Sequence, residues 1–149
     1  MGGVRRGAAA VYKVLIAVFA AAVVVQIFLA GLGIFGARPD EGESVTQDKF
    51  EDEMSVHGDV GWFLFLGTLL LLIVILIAWT GPRSIGATFL LAVLAFIQMA
   101  LPSGGDVVAA LHPVNAVVIL SLALFLTWRA WRGNLLTPPS QLRGYTAAV

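Results

Sequence analysis

The 149-residue chain is 59% hydrophobic and 12% charged, whereas charged residues make up about a quarter of an ordinary soluble domain. This composition excludes a soluble globular protein and indicates an integral membrane protein. The absence of cysteine excludes disulfides, thiolate metal ligands and cysteine nucleophiles. The net charge is zero and the few basic residues follow the membrane topology, so nothing supports nucleic-acid binding.

Four apolar runs cover residues 14–36, 60–80, 85–101 and 107–131. Each is near or above the roughly 17–25 residues that a helix needs to cross the bilayer, and the third is the shortest. The runs are apolar on every face, which excludes the alternating pattern of a β-barrel wall. The sequence therefore predicts an all-α integral membrane four-helix bundle within residues 1–136, running up-down-up-down, with spans at about 12–36, 57–80, 85–101 and 107–131.

The segments outside the spans carry five of the six prolines and most charges. The first run exceeds the roughly 7–15 residues of a signal-peptide core, so we expect a retained helix, with cleavage as the alternative. Thr46 and the acidic residues after it allow the second helix to begin near Asp48, outside the bilayer. Asp106 is expected to cap the fourth helix. The tail 137–149, with two prolines, is expected to be disordered and cytoplasmic.

Charge placement orients the predicted bundle. Seven of the nine basic residues lie at the N-terminus, in the loop between spans two and three, or in the C-terminal tail. All nine acidic residues lie on the opposite side, where the two remaining basic residues, Arg38 and Lys49, also fall. The positive-inside rule then places both termini of this multi-pass chain in the cytoplasm.

The two histidines are the most informative residues. His57 precedes the second apolar run by about one helical turn, and His112 lies near the start of the fourth. Because both spans run from outside to inside, the two imidazoles should lie at similar depth close to the outer face. Two inward-facing imidazoles on separate helices of a four-helix bundle are what bis-histidine ligation of one haem iron requires.

Residues near the histidines fit the same hypothesis. Gly61 and Ala116 each follow a histidine by one turn, so both helix faces are small where a flat macrocycle would pack. Asn115, Gln98 and, deeper in the bundle, Gln26 add polar groups that can orient an imidazole or meet a propionate. The competing interpretation is structural: a histidine can be solvated at a membrane edge or start a helix, and Gln or Asn can join helices by hydrogen bonds.

The motifs "HG" at the start of the second helix and "LHPVNA" at the start of the fourth resemble a family of small uncharacterised four-helix membrane proteins common in actinobacteria and related bacteria, which implies a location in a bacterial cytoplasmic membrane. The layout is also similar to one half of haem A synthase, whose four-helix units carry haem-ligating histidines on their second and fourth helices. That resemblance implies the fold and implies haem ligation at His57 and His112. The chain corresponds to a single half and lacks the cysteine pair of many bacterial members, so haem-oxidising activity is not carried over.

The preferred hypothesis is a membrane protein that binds one b-type haem between His57 and His112 and transfers electrons near the outer face, with a redox partner or membrane complex as its partner. One alternative is a cofactor-free accessory or scaffold subunit. Another is a small transporter or a proton-linked sensor that uses the histidine pair. The sequence identifies no catalytic residue, substrate or oligomeric state, and whether the protein is an enzyme stays open.

Overall fold

A computed structural model describes residues 2–39 and 41–132, and these residues are helical apart from short connections. The long helices are α1 (Gly3–Gly36), α2 (Gln47–Ala78), α3 (Pro82–Ala100) and α5 (Leu111–Trp131). A 3₁₀ turn, Leu101–Ser103, and a four-residue helix, α4 (Asp106–Ala109), lie between α3 and α5. The tail 137–149, expected to be disordered, lies outside the described residues.

Four helical segments are long and apolar enough to cross a membrane: Gly3–Gly36, Gln47–Ala78, Pro82–Ser103 and Asp106–Trp131. Large apolar side chains on their outer surfaces are exposed, among them Phe28 at 63%, Phe63 at 73% and Phe96 at 63%. A water-soluble monomer rarely exposes so much contiguous apolar surface, whereas lipid tails solvate it. The chain is therefore a four-helix, multi-pass membrane protein.

Helix ends follow local chemistry. Thr46 caps α2, since its Oγ1 accepts a hydrogen bond from the Lys49 backbone N–H at 3.3 Å, and Asp48 lies in the positively polarised first turn. The expected cap at Asp106 is wrong: Gly105, with φ +79°, holds the N-cap position of α4, and Asp106 is the first helical residue. Glycine adopts this backbone conformation without strain, whereas aspartate does so rarely, so Gly105 is the N-cap residue in place of Asp106.

The helices pack as a ring in which α1 contacts α2 and α5, and α3 contacts α2 and α5. The tightest core lies at the end of the bundle that carries Arg5, Arg83 and Arg129, here called the basic end. Its largest fully buried apolar side chains are Tyr12, Ile16, Leu71, Ile75, Leu91 and Leu126.

Hydrogen bonds between helices also tie the basic end together. Tyr12 on α1 contacts Thr88 on α3, with 2.7 Å between their oxygens, and Thr127 on α5 donates to the Ile16 carbonyl of α1 at 3.2 Å. Thr88 Oγ1 donates its single proton to the Ser84 carbonyl, so the Tyr12 hydroxyl is the donor to Thr88. The opposite end of the bundle, here called the acidic end, contains the histidines and a cavity between the helices.

Candidate cofactor site

The fold brings His57 on α2 and His112 on α5 together at the acidic end. Their ring centroids are 6.0 Å apart and the ring planes are inclined by 62°. Both side chains are half-buried, and both line the same cavity. The pair that the sequence singled out is therefore in contact, although α2 and α5 do not pack directly against one another along their length.

His57 is held by Gln26, which lies on α1. The side-chain Nε2 of Gln26 donates to the His57 carbonyl at 2.7 Å, and His57 Nδ1 lies 3.2 Å from the Gln26 carbonyl oxygen. A carbonyl oxygen only accepts hydrogen bonds, so Nδ1 must carry the proton. In the neutral imidazole this tautomer leaves the lone pair on Nε2, which lies 3.5 Å from Gln26 Nε2, and this is the form of the ring that binds a metal.

His112 is held in the same way by Gln98, which lies on α3. Gln98 Nε2 donates to the His112 carbonyl at 3.0 Å, and His112 Nδ1 lies 3.1 Å from the Gln98 carbonyl oxygen. Because this carbonyl oxygen can only accept, His112 Nδ1 carries the proton and Nε2 carries the lone pair. Two helix pairs, α1 with α2 and α3 with α5, thus present their histidines by one repeated arrangement, in which each glutamine and histidine bond to each other's backbone.

Asn115 stabilises only one of these two arrangements. Its Nδ2 donates to Gln98 Oε1 at 2.7 Å and to the Leu94 carbonyl at 2.9 Å, so the Gln98 amide is bonded at both ends. On the other side, Gln26 Oε1 is buried and has no hydrogen-bond partner within the described part of the chain. Gln26 and Gln98 therefore make the same backbone hydrogen bonds with their histidines. Only the Gln98 side chain is also bonded to a second side chain, that of Asn115.

The cavity between the histidines has a volume of about 460 Å³, within the range of small-molecule and cofactor sites. All four membrane-spanning segments contribute to its predominantly apolar wall. Of the six candidate residues from the sequence, five line it, namely His57, His112, Gly61, Ala116 and Gln98. Asn115 does not line it and acts through Gln98.

Small residues line the cavity, and packed apolar side chains bound it toward the basic end. A Cβ atom on Gly61 would lie 3.2 Å from Gln26 Nε2, so glycine there leaves room for the amide that supports His57. Toward the basic end the cavity is lined by the buried side chains of Phe19, Val23 and Ile119. These residues belong to the same apolar cluster as the fully buried core of the basic end. The cavity is therefore bounded on that side by closely packed apolar side chains.

The strongest metal ligands that line the cavity are His57 and His112. Within residues 2–39 and 41–132 no group of three or more His, Cys, Asp or Glu side chains is placed to hold a metal ion. Two neutral imidazoles alone are a poor set for a bare metal ion, which generally needs four or more ligands. Two imidazoles suit a metal that is already bound by other ligands of a cofactor. The apolar wall of the cavity suits the apolar part of that cofactor.

Three features of the site were not anticipated from the sequence. Gln26 was expected to lie deeper than the histidines, yet it bonds directly to His57, because α1 and α2 pack closely near Gly33 and Gly61. Met54 and Met99 also line the cavity. Each glutamine precedes its histidine on the neighbouring helix, but the separations of 31 and 14 residues differ, so no sequence spacing identifies the arrangement.

Comparisons of the chain with models of protein families, with curated proteins and with solved structures found no match.

Proposed function

We propose that the protein binds one b-type haem between His57 and His112 and transfers electrons at the acidic end of the bundle. The observation that carries the proposal is the histidine pair itself: two Nδ1-protonated imidazoles, on separate helices, that line one apolar cavity with ring centroids 6.0 Å apart. When bound, haem supplies an iron that cycles between the ferric and ferrous states, with a potential set by its axial ligands and surroundings.

The ring separation agrees with ligation of one metal by both side chains. An imidazole nitrogen binds a first-row metal at about 2.0–2.1 Å, so two coaxial rings that share one ion have centroids about 6 Å apart. The carbonyl oxygens of Gln26 and Gln98 hold the two rings in the required tautomer and raise their basicity as ligands. His57 and His112 would hold the haem iron, and the two carbonyl oxygens fix the orientation of both imidazoles.

The surroundings support a planar apolar group. Gly61 and Ala116 line the cavity one turn after each histidine and leave its walls open. In the described ranges no group of three or more His, Cys, Asp or Glu side chains is placed to hold a metal ion, so a metal that brings four ligands of its own fits the histidine pair better than a bare ion does.

The sidedness of the site follows from charge. We propose an up-down-up-down bundle in a bacterial cytoplasmic membrane, with both termini in the cytoplasm and the histidines near the outer face, because seven of nine basic residues lie on the side of the termini. The packed core of the basic end separates the cavity from the cytoplasmic side. Electron exchange with a redox partner would therefore take place at the outer surface.

Absorbance tests the proposal. Protein purified in detergent from haem-supplemented cells should be coloured, with a Soret band and, after reduction, a sharp α band of low-spin haem. A stoichiometry near one haem per chain is expected. A colourless preparation that also fails to take up added haem would contradict the proposal and favour a cofactor-free scaffold, transporter or sensor.

A further inference from the structure

The two histidine supports differ at the side-chain amide of their glutamine. The Gln98 amide is fixed on His112 because its Oε1 accepts from Asn115, which is itself anchored to the Leu94 carbonyl of α3. The Gln26 amide has a single strong bond, from Nε2 to the His57 carbonyl, and its Oε1 is without a partner among the described residues. His112 is thus held by two side chains, Gln98 and Asn115, and His57 by one, Gln26.

The Gln26 amide also lies next to the ligating atom of His57. Its Nε2 is 3.5 Å from His57 Nε2, and a primary amide carries two N–H groups, of which only one is used on the His57 carbonyl. The second N–H is therefore available to the His57 lone pair. No such contact is present for His112, whose Nε2 has no hydrogen-bond partner in residues 2–39 and 41–132.

We infer that, given the haem of the proposed function, the two axial positions are unequal: His112 is the fixed ligand, and His57 is a displaceable ligand that yields its position to a small neutral molecule such as carbon monoxide. In this exchange the bond from His57 Nε2 to the iron breaks and the lone pair stays on Nε2. That lone pair then accepts the second N–H of Gln26, while the incoming molecule donates its own lone pair to the iron. No proton or electron is transferred.

Burial explains why Gln26 matters for this exchange. An imidazole that leaves a metal inside an apolar cavity exposes an unpaired acceptor, and an unpaired buried acceptor is costly. The Gln26 amide removes that cost for His57, whereas His112 has no equivalent donor among residues 2–39 and 41–132 and is disfavoured as a leaving ligand. Gly61 maintains the arrangement, because any Cβ there would press on Gln26 Nε2 from 3.2 Å.

Single histidine variants test whether His57 and His112 differ in how firmly they would hold the haem. Wild-type protein, His57→Ala and His112→Ala would each be loaded with haem b in detergent, with folding checked by circular dichroism. Haem retention on gel filtration and carbon monoxide binding to the ferrous form would then be measured. We expect His57→Ala to keep a five-coordinate haem and to bind carbon monoxide without the slow ligand-dissociation phase of the wild type. His112→Ala should lose haem at least roughly tenfold more readily.

Glutamine variants provide a matched second test. Gln26→Leu removes the donor for the released His57. The carbon monoxide affinity of the ferrous protein should therefore fall roughly 2- to 12-fold, which is the effect of losing one hydrogen bond. Gln98→Leu removes the corresponding amide beside His112, and it should lower haem retention more and carbon monoxide affinity less than Gln26→Leu. The backbone carbonyls that orient both Nδ1 atoms remain in both variants.

The outcomes separate this inference from the proposed function. Failure of the wild type to bind haem would contradict the proposed function itself. A wild-type protein with one low-spin haem that does not bind carbon monoxide would contradict only the inequality of the axial positions. Equal haem loss from His57→Ala and His112→Ala, or equal effects of the two glutamine variants on carbon monoxide affinity, would likewise overturn it.

Discussion

The side-chain amide of Gln26 donates to the backbone carbonyl of His57 at 2.7 Å, and His57 Nδ1 lies 3.2 Å from the backbone carbonyl of Gln26. The two residues therefore fix one another across the α1–α2 contact. Because Gln98 and His112 repeat this relationship across α3 and α5, both imidazoles are oriented by the protein alone. Such preorganisation lowers the cost of ordering ligands when a cofactor binds.

The volume beside each histidine is the first feature to test. Leu in place of Gly61 or Ala116 adds bulk inside the cavity that a packed site cannot absorb without displacement, so the haem-to-protein ratio should fall sharply in both variants. Gly86→Leu is the matched control, because a Cβ at Gly86 meets nothing within 4 Å. Leu favours membrane insertion, so expression should be maintained. An unchanged ratio in both cavity variants would show that no macrocycle packs there.

Asn115 should stabilise the site through Gln98. Asn115→Ala leaves Gln98 Oε1 without its donor, and we expect the free energy of unfolding to fall by about 1–3 kcal/mol together with the haem affinity. Ser121→Ala on the same helix is the control, because its exposed hydroxyl bonds only to the Val117 carbonyl one turn earlier, and changes at such positions are usually within about 0.5 kcal/mol. Equal stability and haem affinity of the two variants would argue against the support role of Asn115.

The Tyr12–Thr88 hydrogen bond should contribute to bundle stability and leave haem binding unaffected. Tyr12→Phe removes the donor and should cost about 0.5–1.5 kcal/mol, since Thr88 still donates to Ser84. Thr88→Val should cost more, because it leaves the buried Tyr12 hydroxyl unpaired. Unfolding in bicelles measures both values. A larger cost for Tyr12→Phe than for Thr88→Val would reverse the assignment of donor and acceptor.

Topology can be measured independently of any cofactor. A reporter fused at Val149 should be active only on the cytoplasmic side, and a tag in the loop at Glu43 should be accessible from outside, as the distribution of basic residues predicts. An external C-terminus would invert the proposed orientation. The histidine site would then face the cytoplasm.

The sequence predicted the membrane class and four long helices because apolar length and composition determine both directly. It also predicted that Thr46 could start α2, since an N-cap depends on local residues only. Asp106 was misassigned as a cap because two adjacent glycines precede it, and the backbone at Gly105 adopts a conformation that no propensity for aspartate could reveal.

The site was predictable in part. His57 and His112 were recognisable because each lies at the start of an apolar run, which gives both a similar depth. The role of Gln26 could not be derived from spacing, because it depends on how far α1 slides along α2, and that offset is set by close contacts of Gly33 with Met54 and of Gly61 with Gln26. Asn115 was expected to orient an imidazole or meet a propionate, whereas it acts one step further away, on Gln98.

The most direct measurement is the spin state of the ferric protein, read by electron paramagnetic resonance and absorbance in the wild type, His57→Ala and His112→Ala. The wild type should give a single low-spin haem signal at about one haem per chain. Each single variant should lose that signal, either by losing haem or by becoming high-spin, because removal of one axial imidazole opens a coordination position. A low-spin signal that persists unchanged in both variants would contradict ligation by His57 and His112.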